Sequence, residues 1–183
     1  MRIALTGGIA CGKSLAASFL REMGFDTVDA DDLAHELISP EERASLAKTV
    51  FRDPAARRAL EARLHPLIRA RLKSTFEGAS TGRPLIEVIP LLFEVHWDAD
   101  YDIICCVKSE RDVQISRMTA TRGYSREEAE ARLGAQMPVA EKAARSHYVI
   151  ANDGSPDDLR AAVAEFARWL AKQQGDDTCQ MKS

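Results

Sequence analysis

The chain has 183 residues, 45% of them hydrophobic and 29% charged, the balance of a folded domain with room for one α/β unit and an insertion. A net charge of −3 and a pI near 5.8 leave no global positive field to draw in nucleic acid, so any anion must be held by local features. The four cysteines (Cys11, Cys105, Cys106, Cys179) form no C-x-x-C pair, and no apolar run approaches the roughly 20 residues of a membrane helix. These features support neither a zinc site nor a disulfide framework, and they lead us to expect a cytoplasmic protein without a signal peptide.

Residues 2–6 read as a short buried strand, and residues 13–23 as a helix with Leu15, Ala16, Phe19, Leu20 and Met23 on its apolar face and Gly24 as its cap. Between them lies Gly7-Gly8-Ile9-Ala10-Cys11-Gly12-Lys13-Ser14, which fits the template G-x-x-x-x-G-K-S of a phosphate-cradling P-loop. The residue types follow from the task. Glycines let the backbone turn tightly against an anion, successive amides form a nest, and the next helix offers the positive end of its dipole. Lys13 supplies a point charge for phosphates, and the Ser14 hydroxyl suits Mg²⁺. Gly8, Ile9, Ala10, Cys11 and Gly12 complete the expected ATP contact. Cys11 is either an acidic thiol among amides or simply a small loop residue.

Phe25 to Val28 read as a second strand ending in Asp29-Ala30-Asp31-Asp32, where carboxylates fall near the ligand crevice of an open sheet. Residues 33–77 look helical throughout, punctuated by Pro40, Pro54 and Pro66, and form an insertion carrying many arginines, Arg43 among them. Strands follow at 85–89 and 101–107. A helix at 110–121 closes at Gly123, and Ser125 to Glu128 reads as the capping box of the next helix. This pair, carrying Arg117, Arg122, Arg126 and Arg132, is a candidate lid spanning 110–137. Tyr148 to Ile150 form a last strand, Ser155-Pro156 starts a final helix, and residues 174–183 are expected to fray. The alternation implies a single P-loop domain: a mostly parallel sheet with helices on both faces.

Guanine recognition would require N-K-x-D, and an ABC-type ATPase would require Ser-Gly-Gly-Gln; neither occurs. A small kinase remains, with a base near the P-loop, a helical acceptor region and an arginine-bearing lid. Several motifs in order resemble the dephospho-CoA kinase family: Leu5-Thr6-Gly7-Gly8-Ile9 through Ser14, Asp29-Ala30-Asp31, His65-Pro66, Pro90-Leu91-Leu92-Phe93-Glu94, Gln114 with Arg117 and Arg122, Gln136, and Val149-Ile150 through Asn152 and Gly154. The resemblance implies ATP-dependent phosphorylation of the 3′-hydroxyl of dephospho-CoA, with Mg²⁺ as cofactor, ATP and dephospho-CoA as partners, and a monomeric chain. It implies catalytic roles for Asp31 as base, Lys13, Arg117 and Arg122, with Arg122 ranked first for its place beside the Gly123 hinge. It assigns Asn152 to ATP, and Asp29, Arg43, His65 and Glu94 to the acceptor. His65 also reads as a helix-boundary residue, Glu94 as a cap, and Asp29 as an N-cap. After Ser39-Pro40 the chain lacks a helix and glycine turn usual in the family, so the acceptor insertion is shortened; Ala10-Cys11 stands where Gly-Ser is common. The alternatives are a kinase for another nucleotide-like acceptor, or a non-catalytic ATP binder.

Overall fold

Five strands build one sheet: β1 Ile3–Gly7, β2 Asp26–Asp29, β3 Leu85–Val88, β4 Ile103–Lys108 and β5 Tyr148–Ala151. In this computed structural model, which describes residues 1–39, 53–79 and 83–180, the order is β2-β3-β1-β4-β5 and every pairing is parallel. The chain leaves β1 to one side for β2 and β3, then crosses to the other for β4 and β5. The order therefore reverses at β1, and a crevice opens beyond its carboxyl end, where the P-loop begins.

Alternation along the strands divides the core. Ile3, Leu5, Ile103, Cys105 and Val107 pack against α1 (Lys13–Glu22) and α7 (Pro156–Gln180), with Phe19, Leu20, Val163 and Phe166 from those helices. Ala4 and Ile104 face the other way, toward α2 (Ala30–Glu36) and α3 (Pro54–Gly78). Leu64, Ile68 and Leu72 recur at four-residue intervals along α3 and are all buried there. A third cluster joins α4 (Arg111–Arg122) to α5 (Arg126–Gly134) through Ile115, Met118 and Ala129, and the P-loop residues Ile9 and Ala10 pack on it.

The α/β reading holds, with local corrections. Leu15 is exposed, and Ala17 takes the buried position on α1. The helix begins at Lys13, so its inward stripe runs through Ala16, Ala17 and Leu20. Pro66 lies inside α3 without breaking it. Its solvent-facing side explains this, since Ala62, whose carbonyl loses its partner, is exposed and can be hydrated. A short helix unforeseen in the sequence, α6 (Val139–Ala144), precedes β5. The capping box at Ser125 and Glu128 forms as expected, and Gly24 follows α1 at φ +92°. The final helix runs to Gln180; residues 181–183 of the expected frayed tail lie outside the described residues, as do residues 40–52 of the insertion, Arg43 among them.

Candidate active site

The P-loop is held from behind. The carbonyl of Ile9 accepts from Gln114 Nε2 (2.7 Å), that of Ala10 from Arg117 Nη1 (3.4 Å) and that of Cys11 from Asn152 Nδ2 (2.8 Å). Each peptide unit is planar and trans, so tying three successive carbonyls outward turns the amides of Ala10, Cys11 and Gly12 the opposite way. Two glycines are required. A Cβ on Gly7 would lie 2.2 Å from the Val107 carbonyl oxygen, and one on Gly12, at φ +90°, 2.3 Å from Asn152 Nδ2. Ala10 takes a left-handed φ of +57°, a conformation that costs a residue with a side chain.

Lys13 Nζ donates to the carbonyls of Gly7 (3.0 Å) and Gly8 (2.8 Å), which keeps the cation at the loop. Burial pulls its pKa below the ordinary lysine value, and the neighbouring Lys142 charge adds to this. Cys11 is fully buried, and burial pushes its thiol up, outweighing the Lys13 charge. The acidic-thiol reading of Cys11 is thereby overturned: the residue is a small packing group beneath the loop. Ser14 sits exposed at the start of α1, its hydroxyl unclaimed among the described residues.

Arg117 and Asn152 act together. Arg117 also donates to Ser109 Oγ (3.0 Å), to Asn152 Oδ1 (3.4 Å) and to the Gly154 carbonyl (3.4 Å), while Ser109 Oγ donates to the Asn152 carbonyl (2.6 Å). This stitches the start of α4 and the β5–α7 loop to the back of the P-loop. Arg122, ranked above Arg117 from sequence, lies at the exposed end of α4 beside Gly123, away from these contacts.

At the end of β2, Asp29 caps α2 by accepting the Asp31 amide (2.9 Å). Its partial burial raises its pKa, an effect that the amide bond opposes. Asp31 is exposed on the first turn of α2, its carboxylate without a hydrogen-bond partner among the described residues and within electrostatic reach of Lys13. It also lines a cavity of about 300 Å³ walled by Ala34, Leu60, Leu64, Ile89 and Trp97, with His65 at its edge. His65 meets the Trp97 ring edge-on at 5.8 Å. A second cavity of about 370 Å³ adjoins through His65, Leu91 and Val95, and reaches Ile9, Glu94, Arg132 and Gln136. His65 and Glu94 therefore line connected space. Arg43 lies outside the described residues.

No group of three or more His, Cys, Asp or Glu side chains gathers into a metal cage among the described residues. The donors present are the Ser14 hydroxyl and the carboxylates ending β2. That sparse, hard-oxygen set fits Mg²⁺, which keeps waters and takes phosphate oxygens for the rest.

Sequence reasoning missed Lys142 altogether. It sits on α6 and is fully buried, paired with Glu94 (2.7 Å) and donating to the Pro90 carbonyl (2.7 Å). A lone lysine in a short helix made mostly of small apolar residues carries no local mark of its pairing with Glu94. Arg132, foreseen only as part of the lid, stacks on Tyr124 at 4.2 Å and lines the second cavity.

The dephospho-CoA kinase family model matches residues 1–44 and 41–158. The chain belongs to the dephospho-CoA kinase family. A dephospho-CoA kinase of Anaeromyxobacter dehalogenans is 41% identical over 197 residues, covering 94% of this chain and 92% of that one. One from Symbiobacterium thermophilum is 38% identical over 198 residues, covering 95% and 82%. A crystal structure of a Thermus thermophilus protein superposes with a TM-score of 0.74 at 36% identity, over 92% of this chain and 97% of that one. Both sequence alignments are longer than the chain's 183 residues, so these dephospho-CoA kinases carry residues that it lacks. The family match restarts at residue 41, where the insertion was read as shortened.

Proposed function

We propose that the chain transfers the γ-phosphoryl group of ATP to the ribose 3′-hydroxyl of dephospho-CoA, giving coenzyme A and ADP. Family membership supports the reaction. One observation carries the residue assignment: Asp31 lines the largely apolar acceptor cavity and also lies within electrostatic reach of the P-loop lysine. A hydroxyl lying along that cavity wall faces the carboxylate, and the adjoining cavity reaches the P-loop at Ile9.

In this reading the amides of residues 8–12 and Lys13 hold the triphosphate, and Asn152 fixes the loop that holds it. Asp31 orients the hydroxyl and takes its proton late, since an ordinary carboxylate is a weak base and the transition state is loose. Arg117 steadies the nest, and Arg122 comes to the phosphates from the end of α4. Ser14, together with the phosphates, would hold Mg²⁺, which would supply charge neutralisation for the transferring group. Asp29 caps the helix that aims Asp31, while His65 and Glu94 line the space for the rest of the acceptor, with Arg43 as a further acceptor contact. The working form is a cytoplasmic monomer with no nucleic-acid or membrane partner; no helix among the described residues is long and apolar enough to cross a membrane.

The test supplies purified protein with ATP, Mg²⁺ and dephospho-CoA and follows coenzyme A by chromatography, with nucleoside monophosphates as competing acceptors. Coenzyme A is the expected product. Preference for a mononucleotide, or ATP binding without turnover, would overturn the reading.

A further inference from the structure

A fully buried lysine needs compensation, because leaving water costs a charge far more than one hydrogen bond returns. Lys142 finds it in the Pro90 carbonyl and in Glu94 Oε1, each at 2.7 Å. The same Oε1 also accepts the Met137 amide at 3.1 Å. Glu94 Oε2, equally sealed from solvent, has no partner, and it is the one buried side-chain nitrogen or oxygen in that position among the described residues. The buried carboxylate of Glu87 shows the contrast. Glu87 gives one oxygen to Arg2 Nε (3.2 Å) and the second to Arg2 Nη2 (2.8 Å) and to the Tyr101 hydroxyl, so that pair is complete. A finished ion pair serves the fold, whereas an unfinished one beside a cavity is set for something that arrives.

Glu94 lines the cavity that holds Ile9, His65, Arg132 and Gln136 and that continues into the apolar cavity beside Asp31. We propose that Glu94 Oε2, sealed until the acceptor shifts the cavity wall, then accepts from an N–H donor of that acceptor, and that Lys142 is the positioning residue that holds it there. The inference rests on the dephospho-CoA reading and deepens it. Chemistry narrows the donor: phosphate and ether oxygens only accept, and the neighbouring ribose hydroxyls belong beside Asp31. Of the donors left, the N–H groups are the base amine and the arm amides. Lys142 touches no substrate. By gripping both Pro90 and Glu94, it fixes the two ends of the turn whose Leu91 lines both cavities.

The test measures kcat and KM for both substrates in Glu94→Gln, Lys142→Met and Lys142→Arg, with thermal melts alongside. In Glu94→Gln the two donors at Oε1 retain the amide oxygen, so its NH2 faces the incoming donor. We expect KM for dephospho-CoA to rise about tenfold or more in Glu94→Gln and Lys142→Met, which is about 1.4 kcal/mol. KM for ATP should stay within about twofold, and Lys142→Arg should recover most of the loss. An unchanged acceptor KM, as when a trapped water alone fills Oε2, would overturn the proposal. So would both KM values rising together, the mark of a merely structural lysine. Should Lys142→Met fail to fold, Glu94→Gln decides alone. Wild-type turnover with an unaltered acceptor KM in Glu94→Gln removes this inference and spares the proposed reaction; a wild-type chain that ignores dephospho-CoA removes both.

Discussion

The two halves of the crevice are built by different means. The nucleotide half is one short segment, Gly7 to Ser14, whose carbonyls are tied from behind by Gln114, Arg117 and Asn152. The acceptor half is gathered from α2, α3, the turn after β3 and α5, and it contains the unpartnered Glu94 oxygen. A phosphate chain is the same in every ATP, so its receptor can be rigid and complete. An acceptor must be told from others, and polar groups left open until it binds are one way to do so. Damage to the first half should therefore abolish turnover with any acceptor, and damage to the second should fall on the acceptor alone.

The largest break in that contrast is Lys13→Ala. Loss of a preorganised cation at the phosphates should lower kcat by about 10³-fold, measured as ADP release at saturating dephospho-CoA. A rate near wild type would remove the loop lysine from the chemistry. Asp31→Asn comes next: it keeps the volume and removes the proton acceptor, so kcat should drop about 10²-fold while nucleotide affinity by calorimetry holds. Equal loss of ATP affinity would move Asp31 into the nucleotide half.

A pH profile sharpens the same line. Burial disfavours the ammonium form of Lys13, so in the free enzyme it loses its proton at a lower pH than the 10.5 of an unperturbed lysine. As pH rises through that point the charge disappears and triphosphate binding weakens. The alkaline limb of kcat/KM for ATP should thus lie below 10.5, and that of kcat should lie higher, since bound phosphates favour the charged form. Coincident limbs would mean that Lys13 and the phosphates do not meet.

Legibility divides along the same boundary. The nucleotide half could be read because its function needs a contiguous backbone shape, and only certain residues in a fixed order make one. The parallel sheet followed from apolar strands alternating with helices, and the capping box at Ser125 from a three-residue spacing. The acceptor half was legible only where a motif carried it, as for Asp31, His65 and Glu94; the rest of its members meet only through the fold. Glu94 and Lys142 stand far apart in the chain, and nothing local tells a buried lysine from a solvated one. The contacts of Arg117 were hidden for a related reason: the proximity of Arg122 to a glycine hinge is visible in sequence, whereas the reach of Arg117 to Ala10 depends on how α4 packs against the loop.

The smallest effect tests whether the nucleotide half carries strain. Ala10 holds φ +57°, where the Cβ crowds the following carbonyl at a cost of about 1–2 kcal/mol. Glycine takes that conformation freely, but its looser unfolded chain returns about 0.4–1 kcal/mol of the gain. Ala10→Gly should therefore stabilise the protein by up to about 1.6 kcal/mol, read from the denaturant midpoint with the slope unchanged. The ATP site should be indifferent, because the Ala10 carbonyl stays tied to Arg117 and the Gly12 amide beyond it is fixed by Asn152 holding Cys11. Stabilisation with an unaltered KM for ATP would mean that the loop is shaped by its outward ties rather than by the residue at position 10. A rise in that KM would mean that the alanine side chain, packed on α4 and α5, is itself part of what keeps the nest in shape.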